Sequence, residues 1–313
     1  MKGKILLIFL ISIFILPIYG EEQIPEWVKN NAKLWSENQI DNESYFNALE
    51  FLIEENIIQL EYVRTGEERI DINDTSEIFH AWSYENDFYP EFGNMVSKNI
   101  HFKLMEENEQ LYKDIGVTDV NAIVILPVFT SSAYSENGFY EYFFDRCDDC
   151  TTVKIVENNY LEFFVASQMG ARALETLGYK TITDVDLDKN PNILKEFDTV
   201  ILLHNEYVTQ SMFNSIVNHP HVIYLYPNAL YAEIEVDYEK NEITLIRGHG
   251  FPTEDEDNGF DWEFDNTRPY EYDQKCEKWE FYDIPNGKML NCYPEKILIS
   301  NTQLLKELKN LVD

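Results

Sequence analysis

His204, Glu206 and Tyr207 stand within four residues of one another, just after the apolar run Thr199-Val-Ile-Leu-Leu203. Residues two apart can turn the same way, so an imidazole nitrogen and a carboxylate oxygen can meet at one point. Donors of this kind hold zinc or iron, and either ion makes a hydroxide near neutral pH when bound. Tyr207 adds a phenol oxygen, and Arg247-Gly-His249-Gly250 can bring a second imidazole. His204, Glu206, Tyr207 and His249 are therefore the candidate catalytic groups, with His204, Glu206 and Tyr207 as candidate metal ligands. The plainer reading of the same residues is structural: His204 ends a strand, and Asn205 and Glu206 cap the following helix.

Other segments carry weaker chemical signals. Thr130-Ser-Ser-Ala-Tyr-Ser135 follows an apolar strand and mimics a flavin phosphate loop, although no glycine occurs until Gly138. Asp184, Asp186, Asp188 and Asn190 have calcium-loop spacing. Lys189 at the glycine position and Lys195 at the bidentate-acid position exclude an EF-hand. Glu254, Asp255, Asp257 and Asp261 offer carboxylates for calcium outside an EF-hand, against the alternative of a solvated acidic loop. Iron or zinc thus stands ahead of calcium as the expected cofactor.

Four cysteines, Cys147, Cys150, Cys276 and Cys292, allow three pairings. Local closure favours Cys147–Cys150 and Cys276–Cys292. A four-thiolate zinc site would want a second close pair, and Cys276 and Cys292 lie sixteen apart. A redox-active Cys147-Asp-Asp-Cys150 is opposed by Asp145, Asp148 and Asp149, which disfavour a thiolate. Structural disulfides are the expectation.

These groups need elements to position them. Ala122–Val128 is a continuous apolar run, as in a strand covered on both faces. Further strands are read at 179–187, 199–203 and 221–226, with helices at 159–177 and from Thr209, which caps the latter. Thr130–Asn137 reads as a polar loop. Strands alternating with helices mean an α/β domain with a mostly parallel, doubly wound sheet. Two hairpins, Glu233–Ile246 and Trp279–Cys292, look like antiparallel additions at the sheet edge or a lid, and 301–312 is a closing helix. In open sheets of this kind, ligands sit beyond the strand C-termini where strand order reverses. With the order 2-1-3-4, the loops 129–137, 204–208 and 227–231 meet there. Thr130, Ser131, Tyr134, Asn205, Asn228 and Tyr231 are the expected pocket-lining residues.

Lys2 and Lys4, an apolar run from Ile5 to Tyr19, and Gly20 before Glu21–Glu22 form a secretory signal over 1–20. The expected divisions are 1–20 signal peptide, 21–63 helical hairpin, 64–118 connecting segment, with a helix over 98–112, and 119–313 the α/β domain. No later stretch is apolar and long enough to span a bilayer, so the mature chain is expected outside the membrane, secreted or extracytoplasmic. The formal net charge of −33 repels phosphate backbones and excludes sequence-independent nucleic-acid binding.

Two resemblances add to this reading. The run from Ile24 to Ile58, with Ile-Pro-x-Trp27, Leu34–Trp35 and Gln39-Ile-Asp41, resembles a helical-hairpin module of exported proteins of ammonia-oxidising archaea. It implies an exported, envelope-associated archaeal protein and no chemistry, and an envelope or protein partner is a candidate for this N-terminal module. Asp198-Thr-Val-Ile-Leu-Leu-His204-Asn-Glu206-Tyr207 resembles the class I glutamine amidotransferase-like superfamily, specifically the C-terminal domain of the N,N-dimethylformamidase large subunit. That resemblance covers roughly residues 120–235 and implies a flavodoxin-like sheet. Members with amidase activity hold a mononuclear iron through tyrosine and glutamate oxygens, which points to Glu206 and Tyr207. Amidotransferases place a Cys on the strand-to-helix elbow. The matching Pro227-Asn228-Ala229-Leu230 has neither Cys nor Ser, so glutaminase chemistry loses its nucleophile. Two functions follow: a non-catalytic envelope or interaction protein on an amidotransferase-like scaffold, or a metal-dependent hydrolase of amides or other C–N bonds.

Overall fold

A computed structural model describes residues 68–313, with breaks at 73–75, 77, 92–93, 98, 106–107, 136 and 157–165, together with 33–35 and 45. The chain divides into two compact units, Met1–Gly66 and Glu67–Asp313. In the first, Lys33–Trp35 and Tyr45 are helical, and the rings of Trp35 and Tyr45 stack 4.6 Å apart. The signal over 1–20 and the rest of the helical-hairpin module lie outside the described residues.

The second unit opens with β1 (Arg69–Ile72), β2 (Phe79–Tyr84), β3 (Phe88–Glu91), β4 (Asn94–Ser97) and β5 (His101–Leu104). Strands β1, β2 and β5 form an antiparallel sheet, and β3 pairs with β4. The helix expected over 98–112 is therefore replaced by β5 and a later helix, α1 (Glu109–Ile115). Cross-strand contacts explain the change: Phe102 meets Phe79 edge-on at 5.6 Å, and His101 stacks on Trp82 at 5.6 Å.

Next come β6 (Ala122–Leu126), α2 (Val128–Ala133), α3 (Phe139–Phe143), β7 (Thr152–Lys154), α4 (Gln168–Thr176), β8 (Lys180–Thr183) and α5 (Asp184–Lys189). They are followed by β9 (Thr199–Leu202), β10 (Tyr207–Val208), α6 (Gln210–Val217), β11 (Val222–Tyr224), β12 (Ala232–Asp237) and β13 (Glu242–Arg247). The chain ends with α7 (Thr267–Tyr270), β14 (Phe281–Ile284), β15 (Gly287–Leu290) and α8 (Thr302–Val312). The main sheet has the order β14-β15-β11-β9-β6-β8, parallel throughout except for β14. Every residue of β6, β9 and β11 is buried, which is why these strands read as unbroken apolar runs. Helix α4 packs with β5 and the 3₁₀ turn Ile297–Ile299, whereas α5 packs with α6 and α2.

Several elements differ from the sequence reading, each for a local reason. The strand expected over 179–187 stops at Thr183, whose side chain accepts the Asp186 amide while the Asp186 carboxylate accepts the Thr183 amide. This capping box starts α5, so the acids from Asp184 to Asp188 lie on a helix and not in a calcium loop. The expected loop 130–137 begins inside α2. The hairpin at 279–292 supplies a fifth parallel strand, β15, beside β11, with only β14 antiparallel at the edge. Gly287 permits this approach, since a Cβ there would stand 1.8 Å from the Val222 carbonyl oxygen. The hairpin β12–β13 belongs to a separate four-stranded sheet, β10-β12-β13-β7.

Both expected disulfides are formed, Cys147–Cys150 and Cys276–Cys292. Among the described residues no helix is long and apolar enough to cross a membrane. The Cys276–Cys292 bridge closes a sixteen-residue separation and ties the β14–β15 hairpin to the chain that precedes it. Replacing both by serine should lower unfolding free energy by about 3 kcal/mol, measured as a reduced urea midpoint. The same change at the three-residue Cys147–Cys150 separation should cost clearly less.

Candidate metal centre

Strand β9 delivers the segment 203–206 between two neighbours. Thr130 of α2 reaches across from one side, its hydroxyl accepting the amides of Glu206 at 3.0 Å and Tyr207 at 3.4 Å. On the other side the Leu230 amide donates to the Asn205 carbonyl, and the Tyr231 and Ala232 amides donate to the Glu206 carbonyl, all at 2.9 Å. The loops 129–137, 204–208 and 227–231 therefore share one end of the sheet. Asn228 and Leu230 have φ of +64° and +61°, so the chain after β11 makes a sharp left-handed turn.

Glu206 is fully buried. Tyr134 donates to its Oε2 at 2.9 Å, and the hydroxyls of Tyr134 and Tyr140 are in direct short contact. The Tyr140 hydroxyl lies 2.9 Å from His249 Nε2, which in turn lies 3.4 Å from Glu206 Oε1. His204 Nε2 is 3.6 Å from Glu206 Oε2, and His204 Nδ1 is 3.2 Å from the Tyr293 hydroxyl. Five donor atoms from four residues, the hydroxyls of Tyr134 and Tyr140, His249 Nε2 and both Glu206 oxygens, thus form a closed circuit of neighbouring contacts. The donors themselves, phenol and carboxylate oxygens and an imidazole nitrogen, are of the types that ligate zinc or iron. Among the described residues no three His, Cys, Asp or Glu side chains are arranged to hold a metal, so this set exists only because phenols join it.

The sequence candidates divide accordingly. His204, Glu206, His249 and Tyr134 converge. Thr130 acts through its hydroxyl on the backbone, and Ser131 is buried within α2. Tyr207 turns its ring edge-on to Phe139 at 5.2 Å, and its hydroxyl makes no hydrogen bond to Glu206 or His249. Tyr231 points to Asp257 at 3.5 Å, with its ring 5.7 Å from His249. Asn228 donates to Glu271 at 3.3 Å, which orients its amide and leaves Oδ1 buried without a partner. Neither amide atom of the buried Asn205 has a partner among the described residues. Tyr140, Glu271 and Tyr293 were invisible as site residues. Tyr140 sits in the aromatic run Phe139-Tyr-Glu-Tyr-Phe-Phe144, and that density was its one signal.

The plainer readings resolve against the geometry. Thr209 alone caps α6, accepting the Met212 amide at 3.2 Å, so Asn205 and Glu206 are not its caps. The hydroxyls of the flavin-like segment are used internally: Ser132 donates to the Val128 carbonyl at 2.8 Å and accepts the Val156 amide at 2.9 Å. The N-terminus of α4 is filled by the Glu295 carboxylate, which accepts the Met169 amide at 2.8 Å. In the acidic loop, Arg247 pairs with Glu256 and Asp261 at 2.7 Å each, and Arg268 with Asp257 at 3.3 Å. Arginines thus offset part of the negative charge there.

Burial pushes the Glu206 carboxyl up to about 8, opposed by the Tyr134 hydrogen bond and helped by Glu271 and Asp265. Burial also pushes His249 down to about 4, keeping it neutral. Tyr134 and Tyr140 are raised by burial and then by the Glu206 charge. No lysine or arginine among the described residues pairs with Glu206; its nearest basic groups are two imidazoles, of which His249 is neutral.

The pH dependence of stability follows. Between the ordinary 4.5 and about 8 the folded metal-free protein holds a proton on Glu206 that the unfolded chain has released, so rising pH costs stability. His249 works oppositely between about 4 and 6.5, where only the unfolded chain binds its proton. Buried Glu295, raised to about 7, and buried Asp184, also raised, act in the same direction as Glu206, so stability should fall from about 6.5 to about 8, with Glu206 contributing up to about 1.4 kcal/mol per pH unit. Glu206→Gln should make that fall shallower in thermal melts, and an unchanged slope would contradict the assignment. No protein-family model matches the chain, and no curated protein matches it.

Proposed function

We propose that the protein is a metal-dependent hydrolase of amide or other C–N bonds, carried on a flavodoxin-like, amidotransferase-like sheet. The parallel order β8-β6-β9-β11-β15 is that of a 2-1-3-4-5 winding, which supports the scaffold. The observation that carries the activity is the closed circuit of donors from four residues, at a buried carboxylate with no cationic side chain. Glu206, Tyr134, Tyr140 and His249 would hold the ion. Phenol and carboxylate oxygens favour iron in its hard, oxidised form, with zinc the alternative. Such an ion, when bound, supplies Lewis acidity toward a carbonyl oxygen and a hydroxide near neutral pH. The chain itself contributes a site that excludes water at Glu206. His204 Nε2 lies 3.6 Å from Glu206 Oε2, and the Asn228 side-chain oxygen is an acceptor on the adjoining turn. All four cysteines are in disulfides, so a thiolate nucleophile is unavailable.

A non-catalytic envelope or interaction protein is the second reading, favoured by the complete burial of Glu206. In either case the signal pattern and the two disulfides support export, with residues 21–63 as the partner-binding module. Metal analysis of the exported protein separates the two. The hydrolase should carry about one iron or zinc per chain. Glu206→Ala should lose the metal while keeping its fold. Absence of metal from the wild type would leave the interaction reading.

A further inference from the structure

Helix α2 and its C-cap address Glu206 twice. The Thr130 hydroxyl accepts the Glu206 amide at 3.0 Å and the Tyr207 amide at 3.4 Å. One turn later the Tyr134 hydroxyl donates to the Glu206 carboxylate at 2.9 Å, while the Tyr134 amide donates to the Thr130 carbonyl at 3.1 Å. Residues four apart on a helix share a face, so one short element fixes both the main chain and the side chain of the same residue. A hydroxyl has two acceptor lone pairs, enough for both amides, and a valine methyl has none.

The helix is itself a fixed bracket. Val128–Ala133 is buried throughout. The Asp184 carboxylate accepts the Phe129 amide at 3.0 Å. The Ser132 hydroxyl accepts the Val156 amide at 2.9 Å and donates to the Val128 carbonyl at 2.8 Å. From the other direction the Tyr231 and Ala232 amides hold the Glu206 carbonyl at 2.9 Å. Loss of the Thr130 hydroxyl would leave two buried N–H groups unpaired and free one end of that grip.

We propose that Thr130 is a positioning residue of the metal centre: its hydroxyl sets the Glu206 main chain so that the carboxylate already stands at the Tyr134 and His249 donors in the metal-free protein. This rests on Glu206 as a metal ligand. Partners that orient ligands typically contribute about 10–100-fold to metal affinity, and a site ordered beforehand spares the cost of ordering on binding.

The test compares Thr130→Val with two controls. Thr130→Ser keeps the hydroxyl, and Ser132→Ala removes hydrogen bonds from the same helix that do not go to Glu206. Zinc affinity is read by competition with a chromophoric chelator, and exchange of the Glu206 and Tyr207 amides is read in metal-free protein. The expected result for Thr130→Val is zinc affinity reduced about 10–100-fold, with both amides exchanging faster than in the wild type. Thr130→Ser and Ser132→Ala should bind zinc as the wild type does. A Thr130→Val variant with unchanged affinity and exchange overturns the proposal. So does an equal loss of affinity in Ser132→Ala, which would make the effect one of helix stability. Should Thr130→Val fail to fold, the wild type decides: protection of the Glu206 and Tyr207 amides matching that of β9 supports the proposal, and exchange as fast as in an unfolded chain overturns it. A wild type that takes up no zinc defeats the proposed function, while the exchange rates still decide whether Thr130 holds the segment.

Discussion

The burial of one carboxylate constrains everything around it. Taking an ionised carboxylate out of water costs several kcal/mol unless a partner compensates. Glu206 is fully buried, and its neighbours are a neutral His249, the His204 imidazole and further acids rather than lysine or arginine. Such a group has two routes to neutrality: it keeps a proton, or it binds a cation. The same burial that raises its affinity for a proton raises its affinity for a metal ion, provided other donors stand at the same point. Here the Tyr134 phenol and the His249 imidazole reach it directly, and the Tyr140 phenol bridges those two.

The architecture explains how residues from four separated segments reach that point. The parallel sheet fixes the ends of β6, β9 and β11, and backbone hydrogen bonds lock the following turns to one another. The second sheet starts at β10, directly after Glu206, and returns through β12 and β13 to place His249 opposite. Helix α3 brings Tyr140. The outer acids are handled differently, by pairing with Arg247 and Arg268 at the surface. The large negative charge of the chain and the uncompensated charge of its centre therefore have separate origins.

Much of this was legible in the sequence, and the rest was hidden for identifiable reasons. Continuous apolar runs marked β6, β9 and β11 because both faces of those strands are covered. Thr209 announced its helix through its own hydroxyl. Short cysteine separations sufficed for both disulfides, since local closure needs no knowledge of the fold. His204 and Glu206 stood out because their types are rare on an apolar strand end. Tyr140 and Tyr293 did not, since in a chain with 20 tyrosines only tertiary placement separates a ligand from a core ring. The strand at 287–290 could not be recognised as parallel, because a hairpin signal says nothing about which sheet its second arm joins. Thr183 ended a strand early through a capping box that competes with strand propensity over three residues.

The central claim is that Tyr134 and Tyr140 supply phenol oxygens to a metal held by Glu206. Ferric ions bound to phenolate absorb visible light by charge transfer from ring to metal, which reports the bond itself rather than its consequences. The decisive measurement is the visible spectrum of the ferric-loaded protein beside those of Tyr134→Phe and Tyr140→Phe. The account predicts a coloured wild type whose band weakens in each single variant and disappears in the double variant. A ferric-loaded protein that is colourless, or whose band survives the loss of both tyrosines, would contradict it.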